Sequence, residues 1–218
     1  MKSAAIAVFV KTPGLSPVKS RLAATLGKDF AESFFLHSTE YLKNNILSEL
    51  SDFDVYWAVA EKEGIHYWKG FKCLYQGESG LGDRLACINE QLAEYPHVFL
   101  IGADSPMIRV EEIQNAYTVL KEGSDFVIGP TFDGGFYLYG SRTKVPKEIW
   151  TKIAYSNSET KASLEKVLIQ YGKVSMINKL LDIDTNEDLQ QWLQQRVEHP
   201  VIQKIKEEYN IIYTTLNR

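Results

Sequence analysis

The chain has 218 residues, enough for one large α/β unit with a full core, so a single domain over 1–218 is the starting expectation. A hydrophobic share of 44% and a charged share of 24% are those of an ordinary globular protein, which excludes a disordered, collagenous or disulfide-scaffolded chain. The net charge of −4 lacks the basic surplus of a nucleic-acid binder, so any anionic ligand must be held locally.

The first apolar run, 4–10, has the length of a signal-peptide core, but Lys11 interrupts it and no small-residue cleavage site follows. It reads as a buried first strand. No segment approaches the roughly 20 apolar residues that span a bilayer, so no membrane partner is expected. Further short runs rich in β-branched and aromatic residues predict strands at 53–59, 72–76, 97–101 and 126–128. Helical faces alternate with them: Ala31, Phe35, Leu42, Ile46 and Leu50; then Leu85, Ile88 and Leu92; then Ile113, Ala116 and Leu120; and later Leu164, Val167, Leu168 and Tyr171. This order predicts a Rossmann-like α/β fold with helices on both faces of a mostly parallel sheet. A strand at 136–139 follows the turn signal Asp133-Gly134-Gly135 closely enough for a hairpin, which makes the sheet mixed. A strand near 174–177, a helix from Pro200 and a short extended tail at 211–216 complete the reading. Cys73 and Cys87 lack metal-ligand spacing and read as reduced thiols of a cytoplasmic protein; the four histidines form no zinc pattern.

Ligands of open α/β sheets collect outside the carboxyl ends of the strands. After the first strand, Lys11-Thr12-Pro13-Gly14-Leu15-Ser16-Pro17-Val18-Lys19-Ser20-Arg21-Leu22 places three cations in a proline-stiffened loop before a helix start, a loop suited to phosphate. A solvated basic loop is the competing explanation. The loop is neither a P-loop nor a G-x-G-x-x-G turn. After the fourth strand, Gly102-Ala103-Asp104-Ser105-Pro106 sets a carboxylate at the crevice, or a helix N-cap. The turn Gly129 to Tyr137 carries Asp133, Gly134 and Gly135, where paired glycines allow close approach to a ligand, although Asp-Gly is also an ordinary tight turn. In Leu181-Asp182-Ile183-Asp184-Thr185, a capping box of Thr185 and Asp188 leaves Asp182 and Asp184 unassigned.

Taken in order, these segments resemble the CofC-like GT-A family, similar to phospholactate guanylyltransferases and molybdenum-cofactor nucleotidyltransferases. The family pattern K-x-P-x-x-G-x-V-K-T-R-L is met at Lys11, Pro13, Val18, Lys19, Arg21 and Leu22, with Ser16 and Ser20 in place of glycine and threonine. Q-x-x-G-D-L-G-x-R runs from Gln76 to Arg84, with Ser79-Gly80 where Gly-Asp is usual. G-x-D-S-P, G-P-x-x-D-G-G-[YF]-Y and D-x-D-T-x-x-D-L follow at Gly102, Gly129 and Asp182.

The resemblance implies a GT-A, nucleotide-diphospho-sugar transferase type of fold and a metal-dependent transferase. Lys19 and Arg21 would bind phosphates, and Asp104 and Asp184, with Asp182 beside them, would hold Mg2+ or Mn2+. Gln76, Gly80 and Arg84 would lie near the base or ribose, and Lys11, Asp133, Gly134, Gly135 and Tyr137 complete the expected site. The partners would be a nucleotide or nucleotide-sugar and a small acceptor, with a homodimer as the expected assembly if the chain associates. A lone aspartate after the central strand favours nucleotidyl transfer over glycosyl transfer; a nucleotide-binding module without turnover is the reading of another class. Asp104 and Asp184 sharing one cation also predict like-charge repulsion, relieved when one becomes asparagine.

Overall fold

The structure, a computed structural model, describes residues 2–103, 105–194 and 199–216, the last six by their backbone alone. The strands are β1 (Ala4–Val10), β2 (Phe53–Val59), β3 (Lys72–Tyr75), β4 (His97–Gly102), β5 (Phe126–Pro130), β6 (Phe136–Ser141) and β7 (Val174–Met176). They form one sheet in the order β3-β2-β1-β4-β6-β5-β7. β1 pairs in parallel with β2 and β4, β2 with β3, and β5 with β7; β6 runs antiparallel to both its neighbours. The sheet is therefore mostly parallel and mixed, as the alternating sequence and the Asp133-Gly134 hairpin lead one to expect.

The α-helices are α1 (Ser20–Leu26), α2 (Lys28–Tyr41), α3 (Leu81–Gln91), α4 (Val110–Lys121), α5 (Lys147–Thr151), α6 (Thr160–Leu168), α7 (Asn186–Gln194) and α8 (Pro200–Leu216). The two-residue period of β1 sorts its side chains between the layers. Ile6, Val8 and Val10 join Phe35 of α2 and Ile113 and Leu120 of α4 in one core cluster. Ala5 and Ala7 face the other side, where Leu85 and Ile88 of α3, Trp150 of α5 and Leu164 of α6 pack. A third cluster lies away from the sheet: Leu22, Phe30 and Phe34 meet Ile183, Trp192, Ile202 and Ile205. It fastens α7 and α8 onto α1 and α2.

Two expectations are corrected. The segment 211–216 continues α8 as helix instead of leaving as an extended tail. Its β-branched residues disfavour helix only by tenths of a kcal/mol each, while propagation from a turn anchored by buried Val201, Ile202 and Ile205 favours it. Tyr171 lies beyond the end of α6 and is 45% exposed, so it does not share the face of Leu164 and Leu168. α4 is N-capped at Arg109, whose N–H donates to Glu112; the alternative of a cap at Asp104 falls on a residue outside the described ones.

Candidate active site

β1 and β4 are adjacent parallel strands whose connections leave in opposite directions, the switch point at which an open sheet forms a crevice. Two joined cavities open there. The inner one, about 380 Å3, has a floor of Phe9, Val10, Leu100 and Ile101 and walls that include Leu81, Leu85, Phe136 and Tyr155. The outer one, about 420 Å3, is lined by Lys11, Lys19, Ser20, Arg21, Asp133, Ser156, Asn157, Ser158 and Asp184. Lys11, Lys19, Asp133, Ser156 and Asn157 border both, so one extended ligand could pass from the apolar lobe into the polar one.

The Lys11 loop is held at its second residue. The Thr12 N–H donates to Glu61 (2.8 Å), and the Trp68 indole donates to the Thr12 hydroxyl (3.1 Å). Gly64 lies so close that a Cβ there would sit 2.1 Å from Thr12 Oγ1. The loop ends at Lys19, whose backbone is left-handed (φ 44°) and whose side chain is 1% exposed. Its ammonium donates to Asp184 (2.9 Å) and Asp182 (3.1 Å). Arg21 projects into solvent with a guanidinium nitrogen 3.8 Å from Asp184, and among the described residues Lys11 makes only a 3.4 Å contact with the Pro17 carbonyl.

Residues 181–184 alternate like a strand. Ile183 is fully buried in the third cluster while Asp182 and Asp184 turn to the cleft. The expected capping box is present: the Asp188 carboxylate accepts from the Thr185 N–H and hydroxyl, and the Thr185 hydroxyl accepts the Asp188 N–H. Asp182 and Asp184 each place an oxygen on one ammonium, so their hard donors converge on a single cation position, a donor set suited to Mg2+ or Mn2+. Among the described residues no three His, Cys, Asp or Glu side chains are grouped to hold a metal. Asp104 lies outside the described residues.

The turn before β6 is set by Asp133, whose carboxylate accepts from the Thr131 hydroxyl (2.5 Å) and the Gly135 N–H (3.1 Å). Tyr137 packs its ring on Gly129, where a Cβ would come within 2.4 Å, and donates to the Asn178 carbonyl. Burial raises the phenol pKa of Tyr137 and Tyr155, with the Glu112 carboxylate adding to the effect at Tyr137, so both stay protonated at neutral pH. Gln76 is buried and donates to the Ala58 (2.7 Å) and Val10 (3.4 Å) carbonyls, tying together the ends of β1 and β2 at the apolar lobe.

Of the residues expected from sequence, Lys11, Lys19, Gln76, Arg84, Asp133, Gly135, Tyr137 and Asp182 line the inner lobe; Arg21 and Asp184 are added in the outer lobe. Gly80 and Gly134 line neither. Gly80 is the N-cap of α3, with open space where a Cβ would stand. Gly134 has φ +91° and backs onto the Ser158 carbonyl. The sequence reading missed Phe9, Leu81, Tyr155 and the Ser156–Asn157–Ser158 turn. Its signal was a cluster of turn-forming residues before α6, but it follows a helix and not a strand.

No curated protein matches the chain. Among solved structures, a candidate nucleotide-diphospho-sugar transferase from Desulfovibrio desulfuricans G20 superposes with a TM-score of 0.86 at 23% identity over 98% of both chains. A cytidylyltransferase from Leptospira borgpetersenii serovar Hardjo-bovis (strain JB197) gives 0.55 at 16% identity over 97% of both chains. A 4-diphosphocytidyl-2C-methyl-D-erythritol synthase from Anaerococcus prevotii DSM 20548 gives 0.54 at 13% identity over 89% of this chain and 97% of that one. At these identities the likeness is one of fold, the nucleotide-diphospho-sugar transferase fold. Residues 50–157 match the family model described as "Uncharacterized protein conserved in bacteria (DUF2064)".

Proposed function

We propose that the chain is a nucleotidyltransferase acting on a nucleoside triphosphate and a small acceptor. The observation that carries this reading is the two-lobed cleft at the ends of β1 and β4, in which an apolar chamber continues into one bordered by Lys11, Lys19 and Arg21. The apolar chamber would take the base and ribose, with Gln76 and Arg84 beside them. The cations would take the phosphates; Arg21 offers a planar fork for paired oxygens. An acceptor oxygen, from a phosphate or a hydroxyl, attacks the α-phosphorus. A new oxygen–phosphorus bond forms, the bond from the α-phosphorus to the bridging oxygen of the β-phosphate breaks, and pyrophosphate leaves; a hydroxyl acceptor also gives up its proton. Fixed cations beside the phosphates stabilise charge as it moves onto the leaving group.

Mg2+ or Mn2+ would be held by Asp182 and Asp184, together with Asp104 as the sequence resemblance implies, and would neutralise phosphate charge. Lys19, now on both carboxylates, would then serve the phosphates as well. The shape likeness to a candidate nucleotide-diphospho-sugar transferase supports a second reading, glycosyl transfer from a nucleotide-sugar. The test is a melting-temperature screen of nucleoside triphosphates and nucleotide-sugars with Mg2+ and Mn2+. A ligand at a hundredfold its Kd adds about 2.7 kcal/mol of stability, a readily measured shift. Shifts by triphosphates followed by pyrophosphate release support nucleotidyl transfer; shifts confined to nucleotide-sugars would move the assignment to glycosyl transfer. No shift with any of them would remove both.

A further inference from the structure

We propose that the Ser156–Asn157–Ser158 turn is the second wall of the polar lobe and binds the terminal phosphates of the donor, so that it holds the pyrophosphate leaving group against Lys11 and Arg21. This rests on the nucleotidyl-transfer reading and assigns donor-binding residues within it.

Two non-glycine residues among the described ones have left-handed backbone, Lys19 and Ser156 (φ 61°), and both line the cleft. That conformation is costly for a residue with a Cβ and persists only where its surroundings enforce it. Around Ser156 they do. The Asn157 amide donates to the Ala154 carbonyl (2.9 Å) and accepts the Glu159 N–H (2.8 Å). The Thr160 hydroxyl reaches the carbonyls of Ala154 (3.1 Å) and Asn157 (2.8 Å). From the other side, the Lys161 N–H donates to the Gly134 carbonyl (2.9 Å), and a Cβ on Gly134 would lie 2.0 Å from the Ser158 oxygen. The turn is thus braced against the hairpin that carries Asp133.

What this bracing leaves over is a set of donors. Neither the N–H nor the hydroxyl of Ser156 or Ser158 makes a hydrogen bond within the described residues, and both residues border the polar lobe. Opposite stand Lys11 and Arg21, both exposed and weakly engaged at 3.4 and 3.8 Å. Asp133, the carboxylate between the walls, is committed to Thr131 and Gly135. Hydroxyls and amides facing two loosely held cations make a chamber that selects a compact oxyanion over a neutral sugar. The shared border with the apolar lobe places that oxyanion at the phosphate end of a nucleotide.

The experiment is calorimetric titration of the full chain with inorganic pyrophosphate, wild type against Ser156→Gly, Ser158→Ala and the double variant. Glycine at 156 keeps the left-handed backbone and its N–H while removing the hydroxyl, so the melting temperature of that variant should hold or rise, which controls for folding. Each lost hydroxyl should weaken pyrophosphate binding about tenfold, the worth of a hydrogen bond to a charged group. Wild-type affinity in the double variant, or no binding of pyrophosphate to the wild type, overturns the proposal. Wild-type titration with nucleoside triphosphates is the separate arm. If they bind while pyrophosphate affinity ignores the serines, the turn is not the anion site and the cleft reading stands. If pyrophosphate binding depends on the serines but no nucleotide binds, the anion site stands and the nucleotidyl reading falls.

Discussion

The ammonium of Lys19 lies 2.9 Å from Asp184 Oδ1, although 165 positions separate the two residues. Lys19 is nearly enclosed, while Asp184 keeps 35% of its side-chain surface and Asp182 26%. Lys19→Met would fill similar space and leave both carboxylates without this partner. Breaking a fully buried ion pair costs about 3–5 kcal/mol; with the carboxylates partly hydrated the expected loss is roughly 2 kcal/mol, read as a lower urea midpoint.

The same contact bears on the expected effect of Asp184→Asn. Repulsion between Asp104 and Asp184, expected from the sequence, involves a residue outside the described ones, whereas the partner seen on Asp182 and Asp184 is the Lys19 ammonium. Asp184→Asn should therefore lower the melting temperature of the metal-free protein, by about 1 kcal/mol in free energy, as for one charge-assisted hydrogen bond. A rise in melting temperature would show that repulsion dominates.

Arg21 has the opposite profile, with a side chain 63% exposed and, among the described residues, one long ion-pair contact. Arg21→Lys keeps the charge and loses the fork. Stability should stay within about 0.5 kcal/mol of wild type, as for most surface changes, while triphosphate affinity falls severalfold in titration. Unchanged affinity in Arg21→Ala as well would mark the loop as a solvated surface.

Gly80→Asp restores the residue usual in the resembling family. The position has φ −64° and ψ 170°, suited to an N-cap, and open space for a side chain. An aspartate there can accept an N–H of the first turn of α3 and meets the positive end of its dipole. The expected gain is about 0.5 kcal/mol by chemical denaturation.

His199 supplies a pH dependence. Its ring packs 4.3 Å from Tyr41 and 5.4 Å from Trp192, and its Nδ1 accepts the Val201 N–H. Burial holds its pKa below the usual value of 6.5, with the Pro106 backbone opposing in part. Below pH 6.5 the unfolded chain takes up a proton that the folded chain resists. Stability from this group is complete above pH 6.5 and declines as the pH falls through that value. The urea midpoint should drop between pH 7.5 and 5.5, and His199→Gln, which keeps an acceptor for Val201, should show a smaller drop.

The sheet was legible because its central strands β1, β4, β5 and β6 are buried on both faces. β1 and β2 occupy the stretches expected, and β3 to β7 differ at one end by one or two residues, since an apolar run ends where burial ends. Asp182 and Asp184 were legible as a pair left over once Thr185 and Asp188 were assigned to a cap. The ammonium that joins them was not, because pairing between residues 19 and 184 leaves no local pattern. Ser156 escaped for a related reason: its backbone is fixed by Asn157, Thr160 and Gly134, so its strain belongs to the tertiary structure. In α8, local β-propensity pointed away from helix and lost to the anchored turns before it.

The burial of Ile183 against Leu22 and Trp192 has a consequence for the order in which the protein can be made. Residue 19 leaves the ribosome long before residue 184, on the order of ten seconds earlier at bacterial rates of synthesis. During that interval the cationic loop has no carboxylates to close on, and the cluster that positions them lacks α7 and α8. The sheet strands β1 to β6 can pair as they emerge, but the cleft is completed by one of the longest-range contacts in the chain. Such contacts form late. A nascent or truncated chain ending before residue 184 would carry the sheet without the Lys19–Asp184 contact that completes the cleft.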